Sequence, residues 1–416
     1  MAVAGIVAEY NPFHTGHAYQ VEQTRRALGA ESAVVAVMSG NWVQQADCAV
    51  ADKWTRARLA LMGGVDLVLE LPTVWATASA EGFARGAVAI LAATGVVDTL
   101  SFGSECGDVA ALDSLAQCLD SEEYRRALRE KLRGGAPFAA CRQAAVGELA
   151  GAETAALLRR ANNNLGVEYL RAIKALGSAI VPMTVLRQGA GHNAVFSREG
   201  EGEEAAAGAM PPFLSATQIR MDLMEGDWTR AEPYLLPGSR AVLEQRMVGL
   251  PALERVSAAM LARWRTMDEG DWAALSDAGA EEGLPRRLVR AGREAGSVEE
   301  FFRLAQTKRY THARLRRLVL RAYLGIRRED IPQGPLYLRV LGLNERGQSV
   351  LREMKGRSAL PILTKSAHAR ALAPPLRALF ELEARCTDLY GLCLPHIPPG
   401  GLEWRETPAR LGGNGI

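Results

Sequence analysis

Four short apolar runs, separated by helix-length segments, dominate the first hundred residues and leave few folds open. Val3–Ala8, Ala33–Met38, Asp66–Leu71 and Val97–Phe102 have the length of strands. His17–Leu28, Lys53–Met62 and Ser79–Ala93 stand between them with the length and pattern of helices. Apolar runs without polar alternation suit strands covered on both faces. Strands joined through helices cross over right-handed and lie parallel, so the spacing predicts an α/β fold with a doubly wound parallel sheet. In such sheets ligands sit beyond the carboxyl ends of the strands, where the unusual residues of this chain fall.

Helical sequence continues to about Leu176, and Ala179–Leu186 reads as one more strand. Residues 189–212 are rich in Gly, Glu and Ala and read as a mobile surface loop. From Ser215 the chain turns mainly helical and Arg-rich, with a small strand–helix–strand unit at Tyr337–Leu343, Glu345–Met354 and Leu360–Thr364. No internal repeat is visible. Two domains are expected, 1–225 carrying the parallel sheet and 226–416 mainly helical. The 416 residues are 48% hydrophobic and 23% charged, which is ordinary for a globular protein. A net charge of +2 does not announce a nucleic-acid binder, so any RNA site must be a local patch. Six cysteines without a CxxC pair suggest reduced thiols, not a zinc site or disulfide framework. No signal-peptide pattern and no apolar stretch near ~20 residues is seen, so a cytoplasmic protein without a membrane partner is expected.

The strongest motif is Asn11-Pro12-Phe13-His14-Thr15-Gly16-His17, directly after the first strand. Free N–H groups at a helix start favour anions. Gly16 lets a base or phosphate approach the backbone. The imidazoles of His14 and His17 can donate to phosphate oxygens, more strongly when protonated. Two such histidines can also serve only as helix caps; their place after the first strand of a parallel sheet favours chemistry. A second element, Ser215-Ala216-Thr217-Gln218-Ile219-Arg220, opens a later helix. Ser215 suits an N-cap, and Arg220 can project towards a polyphosphate. Asp52, Asp66 and Glu70 invite a metal reading, but a helix cap and strand-flanking structural roles fit them better; no protein metal site is expected.

HxGH after the first strand, with a later Ser/Thr-x-Ile-Arg, resembles the HIGH-type nucleotidyltransferase superfamily. GIVAEYNPFHTGH, MSGNWVQ, DKWTRARLAL, DLVLELP, FGSE, NNNLGVEY and SATQIR, in that order, resemble the tRNA(Met) cytidine acetate ligase family. The likeness continues more loosely through KRYTHARLRRLVL and LRVLGLNERGQSVL to LPILTK. It implies an ATP-dependent ligase. Such an enzyme makes acetyl-adenylate from acetate and ATP, releases pyrophosphate, and acetylates N4 of the wobble cytidine of elongator tRNA(Met). It also implies an ATP-binding first domain and a tRNA-binding second domain, with Mg²⁺ carried by ATP and no DNA partner. By motif, ATP would lie along Val7, Ala8, Glu9, Tyr10, Asn11, Pro12, Phe13, His14, Thr15, Gly16, His17, Ala18, Tyr19 and Gln20. Gly103, Asn162, Arg187, Ser215, Thr217 and Arg220 would complete the site, with His14 and His17 catalytic. The chain departs from the family at Gln45-Ala46-Asp47, where Arg-Gly-Glu is typical, and at Gly191-His192-Asn193, where Tyr-His-Asp is usual. An adenylyltransferase acting on a small phosphate ester and a non-catalytic RNA-binding relative stay open as alternatives.

Residues 303–328 carry nine Lys or Arg and no acid. Leu315, Leu318, Val319, Ala322 and Ile326 make an apolar helical stripe, and Arg314, Arg317 and Arg321 fall on another face. With Lys308, Arg309 and a stacking Tyr310, this run is the expected tRNA surface.

Overall fold

A computed structural model describes residues 1–134, 136–188, 213–246, 249–279, 283–307 and 310–412. The loop expected at 189–212 and its Gly191-His192-Asn193 lie outside these described residues, as do Lys308 and Arg309.

The first strand, β1 (Val3–Ala8), and the helix α2 (Lys53–Met62) have the bounds their apolar patterns predict. Helix α1 (Thr15–Leu28) starts two residues before its expected beginning because His14 caps it. The sheet continues with β2 (Ala33–Ser39), β5 (Leu67–Leu71), β6 (Thr99–Ser104) and β7 (Val181–Leu186). Between β2 and α2 lies a short antiparallel hairpin, β3 (Trp42–Val43) with β4 (Asp47–Cys48). The C-terminal half adds β8 (Leu338–Leu343), β9 (Ile362–Leu363) and β10 (Ala409–Arg410). The strand order is β10-β8-β5-β2-β1-β6-β7, with β9 beside β8. Strands β5, β2, β1, β6 and β7 are mutually parallel, and among the described residues of this sheet only β8 meets its neighbour β5 antiparallel.

Side chains of β2 alternate between two cores. Val35 and Val37 join one apolar cluster, while Val34, Ala36 and Met38 join the other. That period of two places a helical layer on each face. Helix α3 (Ala80–Ala93) covers one face so closely that a Cβ at Gly5 of β1 would stand 2.8 Å from Leu91. From β1 the chain winds through β2 to β5 on one side and through β6 to β7 on the other. The order therefore reverses between β1 and β6, opening a crevice at their carboxyl ends.

The strand–helix–strand unit of the second half forms, with α8 (Glu345–Arg357) between β8 and β9. Its first strand also extends the central sheet through β5, so the sheet crosses the 225/226 division expected from sequence. Buried charge ties the halves further. Lys53 pairs with Glu70 of β5 at 2.5 Å and with Glu403 at 2.6 Å, and Glu403 also meets Arg339 of β8 at 3.4 Å. Asp66 accepts from Val34 N and Asn344 Nδ2 and pairs with Arg25. Asp52 caps α2 by accepting from Trp54 N and Thr55 N. These three acids thus have structural contacts.

One guanidinium, that of Arg56 on α2, is fully buried at 0% exposure. It donates to the carbonyls of Glu9, Ser39, Gly40 and Ala51, which end β1, end β2 and close the following loop. Arg56→Met would leave four buried carbonyls without this donor. It is expected to lower the unfolding free energy by at least about 3 kcal/mol, the scale for stripping partners from buried polar groups. Urea denaturation followed by tryptophan fluorescence measures this, and a loss under about 1 kcal/mol would contradict the role.

Candidate active site

The crevice begins where β1 ends. Tyr10 takes a left-handed backbone, φ 46°, a conformation costly for a bulky residue and common at functional turns. The chain then turns into α1 with His14 as N-cap. His14 Nδ1 accepts from Gly16 N at 3.0 Å, and His17 Nδ1 accepts from His14 N at 3.2 Å. A neutral imidazole that accepts at Nδ1 carries its proton on Nε2. The reciprocal caps therefore fix both rings in the Nε2–H tautomer, 3.8 Å apart between centroids.

Burial, with added repulsion from Arg187 and Arg220, pushes His14 down to about 3. His14 is thus a neutral donor, and the expectation that protonation strengthens it is corrected. The reason for Gly16 is corrected as well. A Cβ there would lie 2.8 Å from His14 Cε1 and 3.1 Å from its Nδ1, so the glycine makes room for the histidine ring.

The opposite wall is the end of β6. A Cβ at Gly103 would stand 3.2 Å from Arg187 Cγ, so the glycine lets Arg187 lie across the strand end. Arg187 N donates to Ser104 O at 2.9 Å. Helix α4 (Ala161–Ala175) starts beside it, capped by a carboxylate from outside. Glu105 accepts from Asn162 Nδ2 at 2.7 Å and from Asn163 N at 2.8 Å. Burial raises the Glu105 pKa, but these hydrogen bonds outweigh it and hold the carboxyl below its usual range. The third wall is α5 (Ala216–Met224), whose N-cap Ser215 accepts from Gln218 N. Arg220 donates to Asn11 O at 2.7 Å and to Thr217 Oγ1 at 3.2 Å, which holds its guanidinium beside the start of α1.

Val7, Ala8, Glu9, Tyr10, Asn11, His14, His17 and Gln20 line this cleft together with Gly103, Asn162, Arg187, Ser215, Thr217 and Arg220. Gly16 and Tyr19 line an adjoining part that shares His14, His17 and Arg187. Four residues of the expected ATP segment do not reach the cleft. Phe13 is 0% exposed and packs where Gly63 leaves space, Pro12 is buried, Ala18 packs on the apolar core, and Thr15 lines neither part. A helix shows only some of its faces to a ligand, so a continuous segment cannot line a site throughout. Gln44, Gln45, Phe83, Phe102, Leu165, Tyr169 and Ala216 complete the cleft. Gln44, Phe102, Leu165, Tyr169 and Ala216 belong to motifs quoted above, but only the fold shows that they face the cleft, and Phe83 lies in none of those motifs.

The model of the family described as HIGH Nucleotidyl Transferase matches residues 1–399. A tRNA(Met) cytidine acetate ligase of Thermoanaerobacter sp. (strain X514) is 37% identical over 412 residues, 97% of this chain and 98% of that protein. The protein of the same name from Caldanaerobacter subterraneus subsp. tengcongensis is 37% identical over 415 residues, with 97% and 98% covered. The crystal structure of Thermotoga maritima TmcAL bound with alpha-thio ATP superposes with a TM-score of 0.86 at 32% identity. It covers 99% of this chain and 100% of that one. The chain belongs to the tRNA(Met) cytidine acetate ligase family.

In this member of the ligase family Gln44 and the departing Gln45 line the cleft, while Asp47, beyond the Ala46 turn, pairs with Arg316 at 3.2 Å. Arg316 belongs to α7 (His312–Leu324), the core of the expected tRNA surface. That expectation needs correction. Arg321 is 2% exposed and donates to Val74 O, and Tyr310 is buried beneath the Arg314 guanidinium. Arg317 pairs with Asp277 at 3.0 Å, and Arg314 donates to the Asp277 carbonyl. Acids absent from the run arrive from other segments, which composition along the chain cannot reveal. A more open basic face lies on α6 (Leu284–Glu294). Its Leu284, Leu288 and Ala291 are buried while Arg286, Arg290 and Arg293 are exposed. Their i, i+4, i+7 spacing was legible in the sequence.

Gly16→Ala tests the cap geometry. The added methyl must displace the His14 ring and turn its Nε2–H from the cleft. We expect ATP affinity to fall by at least about tenfold, the loss of one good hydrogen bond to a charged group, with the melting temperature nearly unchanged. Calorimetric titration with ATP measures it; wild-type affinity would show that the His14 ring has no part in binding.

Proposed function

We propose that the protein is an ATP-dependent tRNA(Met) cytidine acetate ligase. The observation that carries this reading is the convergence of His14, His17, Arg187 and Arg220 on one crevice at the strand-order reversal, in a chain that aligns with these ligases nearly end to end. The ATP phosphates meet the two Nε2–H donors and the two guanidiniums at the opening of α1, whose own first N–H groups are taken up by the histidine caps. Acetate attacks the α-phosphorus, pyrophosphate leaves, and the donors stabilise charge developing on the phosphate oxygens without moving. His14 and His17 act in this step as fixed neutral donors. Mg²⁺ carried with ATP would sit mainly on phosphate oxygens and water. N4 of the wobble cytidine then displaces AMP from the acetyl carbon.

In this reading residues 1–225 handle ATP and acetate, and 226–416 supply most of the tRNA surface. Arg286, Arg290 and Arg293 are its proposed phosphate contacts, in place of the α7 row. Charge reversal of all three to Glu is expected to weaken tRNA binding and to flatten its salt dependence by roughly one unit of slope per lost contact. Filter binding across a salt series reads both; unchanged slope would move the RNA surface elsewhere.

The reaction itself is tested with ATP and labelled acetate, with and without tRNA(Met). Pyrophosphate release that depends on acetate, and label in the tRNA only when tRNA is present, are expected. Turnover with a phosphate ester alone would favour a plain adenylyltransferase, and tRNA binding without turnover a non-catalytic relative.

A further inference from the structure

Among the described residues lining the cleft there is one carboxylate, Glu9. Its neighbours at the site are neutral or cationic, as a site for a polyphosphate requires. A carboxylate there repels the ligand that the rest of the cleft attracts. The residue is nevertheless held firmly. Gln44 N donates to Glu9 Oε1 at 2.8 Å, and Arg56 donates to the Glu9 carbonyl. Its other oxygen, Oε2, accepts no hydrogen bond from any described residue.

The remaining titratable groups of the cleft are poor proton acceptors. His14 and His17 have committed their Nδ1 atoms to backbone N–H groups. Burial pushes the Tyr10 and Tyr169 hydroxyls up, which keeps them protonated. Arg187 and Arg220 are cations with no acceptor atom. Among the described residues lining the cleft, Glu9 alone offers an anchored base with an uncommitted oxygen. A carboxylate is also the natural partner of the exocyclic amine of cytosine, from which it accepts a hydrogen bond.

We propose that Glu9 holds the N4 amine of the acceptor cytidine and takes its proton during acetyl transfer. The inference rests on the ligase reading above. In the step, the N4 lone pair forms the C–N bond to the acetyl carbonyl carbon. The bond from that carbon to the phosphate oxygen breaks, and AMP leaves with its electron pair. One N4 proton passes to Glu9 Oε2. Oε1 stays on Gln44 N throughout, so the carboxylate need not turn.

Glu9→Gln keeps the shape and an oxygen for the Gln44 N–H but removes the base. Two acceptors read the variant under single turnover with ATP and labelled acetate: tRNA(Met), and hydroxylamine, which attacks acyl-adenylates without a base. Acetylation of tRNA is expected to fall at least about 100-fold, the low end for general-base catalysis. Acetyl-hydroxamate formation is expected to fall far less, within about tenfold, which also reports that the variant is folded. Equal losses with both acceptors would overturn the proposal and make Glu9 part of adenylate formation, for instance through Mg²⁺. Unimpaired tRNA acetylation would overturn it as well. If wild type forms acetyl-hydroxamate but no acetyl-tRNA, the ligase reading fails first and takes this inference with it.

Discussion

The geometry of the cleft depends on one buried cation. Arg56 has no carboxylate within ion-pair distance among the described residues; its charge is spread over carbonyls from the ends of β1 and β2 and from the loop before α2. Those strand ends would otherwise present unpaired carbonyls inside the protein, and carbonyls left bare there are costly. By gathering them, the guanidinium fixes where Glu9 and Tyr10 leave the sheet and where the hairpin begins. The hairpin is held from the other side by the C-terminal half. Trp42 Nε1 donates to Cys386 O, and Tyr390 on α9 (Pro374–Gly391) donates to Ala49 O. The cleft and the C-terminal half therefore share one rigid segment, with Gln44 and Gln45 facing the cleft and Asp47 facing α7.

As the proposed phosphate site, the cleft would work mostly without mobile charge. The two imidazoles are oriented by the backbone they cap, so each presents an N–H whose direction is set before the ligand arrives. Preorganised donors of this kind lose little on binding. The two arginines supply the charge, and both are aligned by backbone contacts, Arg220 through Asn11 O and Arg187 through its place against Gly103. In the proposed function, that division lets burial hold His14 neutral while the arginines carry the charge that phosphates need.

Much of this was legible in the sequence because it is local. Runs such as Val3–Ala8 and Lys53–Met62 fold as their apolar pattern requires, and HxGH declares itself at a strand–helix junction. What was hidden depends on segments distant in sequence. Phe102 and Tyr169 join the cleft only through the packing of α4 on the sheet. Gly16 looked like space for a ligand, yet the His14 ring occupies that space. The Arg-rich run looked uncompensated because Asp277 and Asp47 reach it from elsewhere. The two-residue strands of the hairpin are too short for any periodic pattern to mark.

In the proposed function the start of α1, with its paired neutral histidines, receives the phosphates of ATP. A crystal structure of this protein soaked with alpha-thio ATP tests it most directly. The triphosphate is expected at the opening of α1, within hydrogen-bond distance of His14 Nε2, His17 Nε2 and the Arg220 guanidinium, with Pro12 and Phe13 untouched. A nucleotide bound elsewhere, or bound here with its phosphates turned away from both histidines, would contradict it.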